Sequence, residues 1–405
     1  MVRNTVLPLM VLLCGAGGAR AQAYRFGHVW DGEKMINDAV IVVEKDRIQS
    51  VGAAGPAGAI DMTKYTALPG LIDVHTHMTY VFDMNRISAA GRGAAAVYLA
   101  RDNARRTLET GVTTVRNLGA SDYQDIAMRD LINAGLMEGP RMYVSGYGLQ
   151  ITRGGRGGPQ TADGPAEVMK VVRQQIGAGA DVIKMYGSTG SGQDVTGFQT
   201  FTYEEIKAAV EAAHAMGKTI AIHTYGPSAA RDAVRAGVDS IEHATDMDDD
   251  TIAEMARKKI FYVPTIDHNR YYVENAKLLR YPPSAIGPLN DYIARNLETA
   301  KKAFRAGVRF AMGSDVVYTM FGENTRELGW FVKAGMTPEE ALKTATVNAA
   351  ELLHHENELG SLKPGYFADI CAVEGNPLED INAAIYKVRW VMKAGRVVVD
   401  KTRPQ

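Results

Sequence analysis

Cysteine is nearly absent from this chain, with 2 in 405 residues. Cys14 falls in an apolar N-terminal stretch, so Cys371 stands alone in the remainder. That excludes an internal disulfide framework, and the fold must rest on core burial or on metal. A dominant charge is missing too. The 45 Lys and Arg face 46 Asp and Glu, a formal net charge of −1. No basic field therefore argues for nucleic acid or an anionic membrane as a partner. Long like-charge runs and low-complexity tracts do not occur. With 46% hydrophobic and 22% charged residues, the composition is globular and the length suits one large core or two domains.

The N-terminus reads separately. Arg3 precedes the apolar stretch 6–13, and small residues follow to Ala19-Arg20-Ala21. This is the order of a secretory signal peptide over 1–21, cut after Ala21 or after Ala23. The apolar stretch is too short for a permanent membrane anchor. Leu13 is too bulky to precede a lipid-modified Cys14. A buried N-terminal helix or strand is the competing reading. Cleavage predicts a secreted or periplasmic protein, and loss of Arg3 and Arg20 takes the formal charge from −1 to −3.

Segments 24–30, 39–43 and 48–52 read as strands, punctuated by Gly32 and Asp46. The same texture returns at 368–373 and 388–399. Two β-rich ends predict a small β-sandwich domain built from both termini, 22–68 and 357–405. Between them, 69–356 alternates helix and strand signals, the pattern of an α/β unit with a parallel sheet. Thr202 and Glu205 frame a helix over 203–216 as a capping box, and Thr337, Pro338 and Glu340 open another.

One local pattern recurs. A helix ends in glycine, a short β-type run follows, and a chemically active residue closes it. Gly179 leads to Lys184, Gly217 to His223, Gly237 to His243 and Gly307 to Asp315, while Gly111 leads to Arg116-Asn117. Glycine suits the left-handed C-cap of a helix. Strands are predicted near 71–75, 112–116, 141–145, 181–185, 219–223, 239–243, 260–265 and 309–313. Parallel strands whose carboxyl ends share one active face make a TIM-type (β/α)8 barrel. An open doubly wound sheet would not bring so many strand ends to one centre.

His75-Thr-His77 ends the first of these strands. Residues two apart in a strand share a face, so both imidazoles can meet one metal ion. A pair this short also arises by chance. Lys184, His223, His243 and Asp315, at the other strand ends, are harder to explain as packing. Imidazole nitrogen and carboxylate oxygen are ordinary ligands of zinc and related ions. Four histidines and an aspartate exceed one tetrahedral site and suit two metals sharing bridging ligands. Lys184 is the odd member, because an ammonium repels metal. Burial favours its neutral amine, and a carbamate formed with CO2 would offer two oxygens. Plainer readings stand beside these: packing histidines at 223 and 243, a solvated lysine at 184, and a turn aspartate in Gly313-Ser-Asp315.

Leu68-Pro-Gly-Leu-Ile-Asp-Val-His-Thr-His77, Val182-Ile-Lys-Met, Ala221-Ile-His223, Ile241-Glu-His243 and Gly313-Ser-Asp315 resemble, in order and spacing, the metal motifs of the amidohydrolase superfamily. Leu359-Gly-Ser-Leu-Lys-Pro-Gly-Tyr-Phe-Ala-Asp-Ile resembles its return to the β-domain. The likeness covers nearly the whole mature chain. It points to the binuclear branch with Xaa-Pro dipeptidases, ochratoxin-hydrolysing amidases and imidazolonepropionase-like proteins. Lys184 argues against true imidazolonepropionases and mononuclear deaminases, which lack that lysine. The resemblance implies one metal on His75, His77 and Asp315, and a second on His223 and His243. Carboxylated Lys184 and a hydroxide would bridge them. The hydroxide would attack the amide carbonyl of a dipeptide or N-acyl amino acid, with Asp315 as general base and then acid. Tyr225 becomes a candidate partner of the substrate carbonyl. Relatives of this kind often form homo-oligomers. A lactonase or cyclic-amide hydrolase is the alternative chemistry. A non-catalytic barrel scaffold would show a lost ligand, and none is missing.

The surrounding loops carry the specificity candidates. The Gly-rich segment 146–164 holds Arg153 and Arg156, and reads either as a surface loop or as a lid gripping a substrate carboxylate. It lacks the Gly-Lys-Ser/Thr ending of a phosphate loop. Segment 78–92, with Tyr80 and Arg86, would form a second wall. Tyr318, Met320 and Phe321 would form an aromatic subsite. His268 either lines the pocket or faces solvent. His28, His214, His354 and His355 fall outside the pattern and read as structural or exposed.

Overall fold

The computed structural model describes residues 21–82, 92–152, 159–192 and 194–403. The expected signal peptide up to Arg20 lies outside the described residues, as do Arg86, Arg153 and Arg156. Strands β1 Gln22–Trp30, β2 Met35–Glu44, β3 Arg47–Gly52 and β4 Ile60–Pro69 come first. Then follow β5 Leu71–Thr76, β6 Val112–Asn117, β7 Arg141–Val144 and β8 Val182–Tyr186. After them come β9 Thr219–Thr224, β10 Ser240–His243, β11 Phe261–Val263 and β12 Arg309–Phe310. The chain closes with β13 Ile370–Glu374, β14 Val388–Lys393 and β15 Arg396–Asp400.

Strands β5 to β12 match the eight predicted ones to within a few residues and alternate with helices. They form two parallel sheets, β5-β6-β7 and β8-β9-β10-β11-β12. Every residue of β5 and β6 is buried, as expected for parallel strands covered on both faces. Backbone bonds link the sheet edges. Val74 N donates to Met312 O at 2.9 Å, and Asp315 N to His75 O at 2.7 Å. At the other edge Asp181 N donates to Val144 O at 2.7 Å, and Leu149 N to Lys184 O at 2.8 Å. The helix glycines behave as expected: Gly111, Gly179, Gly217, Gly237 and Gly307 all have φ between 67° and 105°. Both capping boxes are present, on helices Tyr203–His214 and Pro338–Thr344.

The chain ends meet in one seven-stranded sheet, β15-β14-β13-β4-β1-β2-β3. The strands of this expected β-sandwich region are hydrogen-bonded in a single order. Register shifts in β1, β2, β13 and β14 mark bulges, which bend and twist such a sheet. Strand β4 pairs antiparallel with β13, Leu68 opposite Cys371. Burial pushes the Cys371 thiol up to about 12, which makes it an inert core group.

Gly70 is the joint between the two regions. Its N–H donates to Asp369 O at 2.8 Å. A methyl group there would overlap the Thr113 side chain and stand 2.9 Å from Asp369 Cβ. Gly70→Ala is expected to cost about 1–3 kcal/mol by overpacking, read from urea unfolding. Gly177→Ala, at a helix end with open space around it, should leave stability unchanged or slightly raised.

Candidate metal centre

His75 in β5, Lys184 in β8, His223 in β9 and His243 at the end of β10 line one cavity of about 150 Å³. His77, just past β5, and Asp315, beyond β12, line it too. So do Tyr225, His268 and Tyr318. The six residues of the sequence pattern therefore converge. His28 and His214 are exposed and pair with Asn37 and Asp239, while His355 pairs with Glu358, away from the cavity.

Asp315 is the hub. His77 Nε2 stands 3.0 Å and His75 Nε2 3.5 Å from its Oδ1. His268 Nε2 is 3.2 Å and His243 Nδ1 3.9 Å from its Oδ2. The backbone at Asp315 is left-handed, with φ 51°. A buried carboxylate, Asp73, clamps the turn before it. Asp73 accepts from Ser314 N at 3.0 Å, Ser314 Oγ at 2.6 Å and Asn324 Nδ2 at 3.0 Å. Burial pushes Asp73 up to about 6 against these bonds.

A second buried chain orients His75. Its Nδ1 lies 2.7 Å from Glu242 Oε2. Glu242 Oε1 accepts from Arg116 Nη2 at 2.8 Å and from Ser240 Oγ at 2.5 Å. Arg116 Nε donates to Val74 O at 2.6 Å. Burial opposes the Glu242 charge, but Arg116 and His75 prevail and hold it at about 2. An ionised Glu242 fixes the proton of His75 on Nδ1 and leaves the Nε2 lone pair facing the cavity. His243 Nδ1 is held in turn by Thr265 Oγ1 at 2.6 Å.

The charge states suit metal ligation. Burial, with the Lys184 charge, lowers His75 to about 4, and burial takes His223 and His243 well below the usual imidazole range. Lys184 is lowered to about 8 by burial, against the pull of Glu242 and Asp315. Burial disfavours the Asp315 charge too, yet the facing imidazoles of His268, His75 and His77 hold it well below the carboxylate range. Among the described residues, the buried Nε2 atoms of His75 and His223 have no hydrogen-bond partner. Unsatisfied, each such atom costs about 1–3 kcal/mol, and a metal ion would take both lone pairs. His75, His243 and Asp315 each offer a ligand atom within 4.8 Å of the others. The donor set fits a metal, although His243 groups with His75 here rather than only with His223.

Other expectations change. His268 is buried against Asp315, so the solvent-facing reading fails. Met320 and Phe321 are fully buried in the core and do not line the cavity; of that trio only Tyr318 does. Tyr80 stacks on His77 with ring centroids 4.6 Å apart. Tyr186 and Tyr272 also line the cavity and were not anticipated. Their positions were legible: Tyr186 is two residues beyond Lys184 on a strand, and Tyr272 four beyond His268 on a helix.

The family model described as Amidohydrolase family matches residues 66–398. The chain belongs to the amidohydrolase family. It is thus a hydrolase acting on carbon–nitrogen bonds, in a family that typically depends on metal. It is 32% identical over 394 residues to ochratoxinase of Aspergillus niger, covering 87% of this chain and 80% of that one. Among solved structures it is similar to a Xaa-Pro dipeptidase with bound methionine in the active site. The TM-score is 0.84 at 31% identity, with 93% of this chain and 99% of that chain covered. The A. niger ochratoxinase structure gives a TM-score of 0.80 at 27% identity, over 95% and 97% of the two chains. Among the described residues of this amidohydrolase, no helix is long and apolar enough to cross a membrane.

The Arg116–Glu242 pair is 1% exposed or less. Removing one partner strands the other charge. Glu242→Gln and Arg116→Met are each expected to cost about 3–5 kcal/mol, and the double variant less than their sum. Additive losses in urea unfolding would show that the pair is not coupled.

Proposed function

We propose that this amidohydrolase is a binuclear metal enzyme that cleaves the amide bond of dipeptides or N-acyl amino acids, aromatic amides of the ochratoxin kind included. The observation carrying this is the convergence of His75, His243 and Asp315 beside buried Lys184 in one cavity. The similarity to a Xaa-Pro dipeptidase and to an ochratoxinase supports the substrate class. His75, His77 and Asp315 would hold one divalent ion, zinc on donor chemistry, and His223 and His243 the other. Lys184 would bridge them as a carbamate: its neutral amine adds to CO2 and releases one proton. The ions would supply Lewis acidity, acidifying a water and polarising the scissile carbonyl.

The protein's own groups do the rest. Asp315 accepts the proton of the attacking water and returns it to the leaving amine. Burial keeps the Tyr225 phenol protonated, so it can donate a hydrogen bond to the carbonyl oxygen. His268 and Tyr318 line the substrate space. Arg153 and Arg156 are proposed to grip the substrate carboxylate. In architecture, 69–356 is proposed to close as an eight-stranded barrel, with 22–68 and 357–405 as the composite β-domain. Secretion after signal cleavage and a homo-oligomeric state complete the proposal.

The test is a panel of dipeptides, N-acyl amino acids and their methyl esters, run on zinc-loaded protein with bicarbonate. Free acids should turn over faster than esters. Lys184→Ala should lower kcat/KM by about 10²–10³-fold or more, the cost of losing one preorganised electrostatic group being the lower bound, and reduce zinc per chain. Full activity of Lys184→Ala would remove the carbamate, and equal turnover of acids and esters would remove the carboxylate preference.

A further inference from the structure

The segment after β8 runs over the cavity. Gly190, Ser191 and Gly192 line it, the two glycines against the tyrosine rings. Two of these positions have no room for a side chain. A methyl group on Gly190 would overlap the Tyr225 ring, and one on Gly192 would overlap the Tyr272 ring. Gly190 also has φ 120°, whereas Gly192 has ordinary backbone, so there only contact forbids a side chain. Tyr272 is backed by Tyr281, stacked at 5.6 Å, and Tyr225 by Tyr292, stacked at 4.7 Å. Each ring under the two glycines is thus backed by a second ring.

The strap is tied at its base. Gly187 N donates to His223 O at 2.9 Å, Tyr225 N to Ser188 Oγ at 2.7 Å, and Thr200 Oγ1 to Tyr186 O at 2.5 Å. Further out its two arms bond each other. Thr189 N donates to Phe198 O at 2.8 Å, Ser191 N to Asp194 O at 2.7 Å, and Phe198 N to Thr189 Oγ1 at 3.0 Å. Phe198, paired with Thr189, is 71% exposed. Gly197 of the strap is seated on the Gly226 backbone, where a methyl group would stand 2.5 Å away. The cavity of about 150 Å³ is below the roughly 300–1,000 Å³ of ordinary ligand sites.

We propose that this strap is the roof of the substrate cavity, and that the bare backbone of Gly190 and Gly192, seated on Tyr225 and Tyr272, sets its height and so the size of acyl group admitted. The size selection rests on the amide-hydrolase reading. The seating of the roof does not, and the experiment separates the two. Gly192→Ala, Gly190→Ala and the remote control Gly287→Ala, which has open space around it, are loaded with zinc. Zinc extraction by excess dipicolinate is timed in each, and kcat/KM is measured for N-acetyl- and N-naphthoyl-phenylalanine.

A raised roof should speed extraction several-fold in both roof variants and leave the control at the wild-type rate. It should also shift the naphthoyl-to-acetyl ratio of kcat/KM about tenfold towards the larger group. Tyr272→Ala combined with Gly192→Ala should return extraction to the rate of Tyr272→Ala alone, because the clash has gone. Wild-type extraction rates in both roof variants would overturn the roof. Faster extraction with an unchanged size ratio would overturn size selection. If wild type hydrolyses neither amide, the hydrolase reading fails for these amides, and extraction alone decides the roof.

Discussion

A single buried carboxylate, Asp315, faced by four imidazoles governs the arrangement of this molecule. His75 reaches it from β5, His77 from just past that strand, His243 from β10, and His268 from the helix Ile266–Glu274. Charge in so dry a place is costly unless it is paired. Burial drives His75, His223, His243 and His268 towards their neutral forms, and among the described residues the Nε2 atoms of His75 and His223 have no hydrogen-bond partner. Under the proposed function, cations held by this cluster would resolve its electrostatics.

Holding that cluster requires polar groups in the interior. Asp73 fixes the turn that presents Asp315, and Arg116 and Glu242 fix the tautomer of His75. Glu327 accepts from Ile266 N and Asp267 N, both at 2.9 Å, and so seats the start of the helix that carries His268 and Tyr272. Each of these carboxylates is fully buried and hydrogen-bonded. The hydrophobic core sets where the strands lie, and these few polar contacts set which way their last side chains point.

Much of this was legible beforehand. The glycine that ends each helix and the active residue that ends each strand follow from local rules, because left-handed caps and buried β-runs are written in neighbouring residues. That is why Lys184, His223, His243 and Asp315 could be placed together before any fold was known. The supporting groups were not legible in the same way. Asp73 and Glu242 sit inside quoted motifs, yet their partners Asn324 and Arg116 lie 251 and 126 residues away. Met320 and Phe321 look like subsite residues from their closeness to Asp315. Their burial depends on how the chain turns after Asp315, which local sequence does not encode. The sheet made from both termini was recognisable as β-structure, but its strand order rests on the long-range pairing of β4 with β13.

The most direct measurement is anomalous diffraction at the zinc edge from crystals grown with zinc and bicarbonate. Two peaks inside the cavity are expected, one beside His75, His77 and Asp315 and one beside His223 and His243, with density continuous from Lys184 Nζ between them. A cavity without peaks, while the Nε2 atoms of His75 and His223 turn to protein partners, would contradict the metal centre.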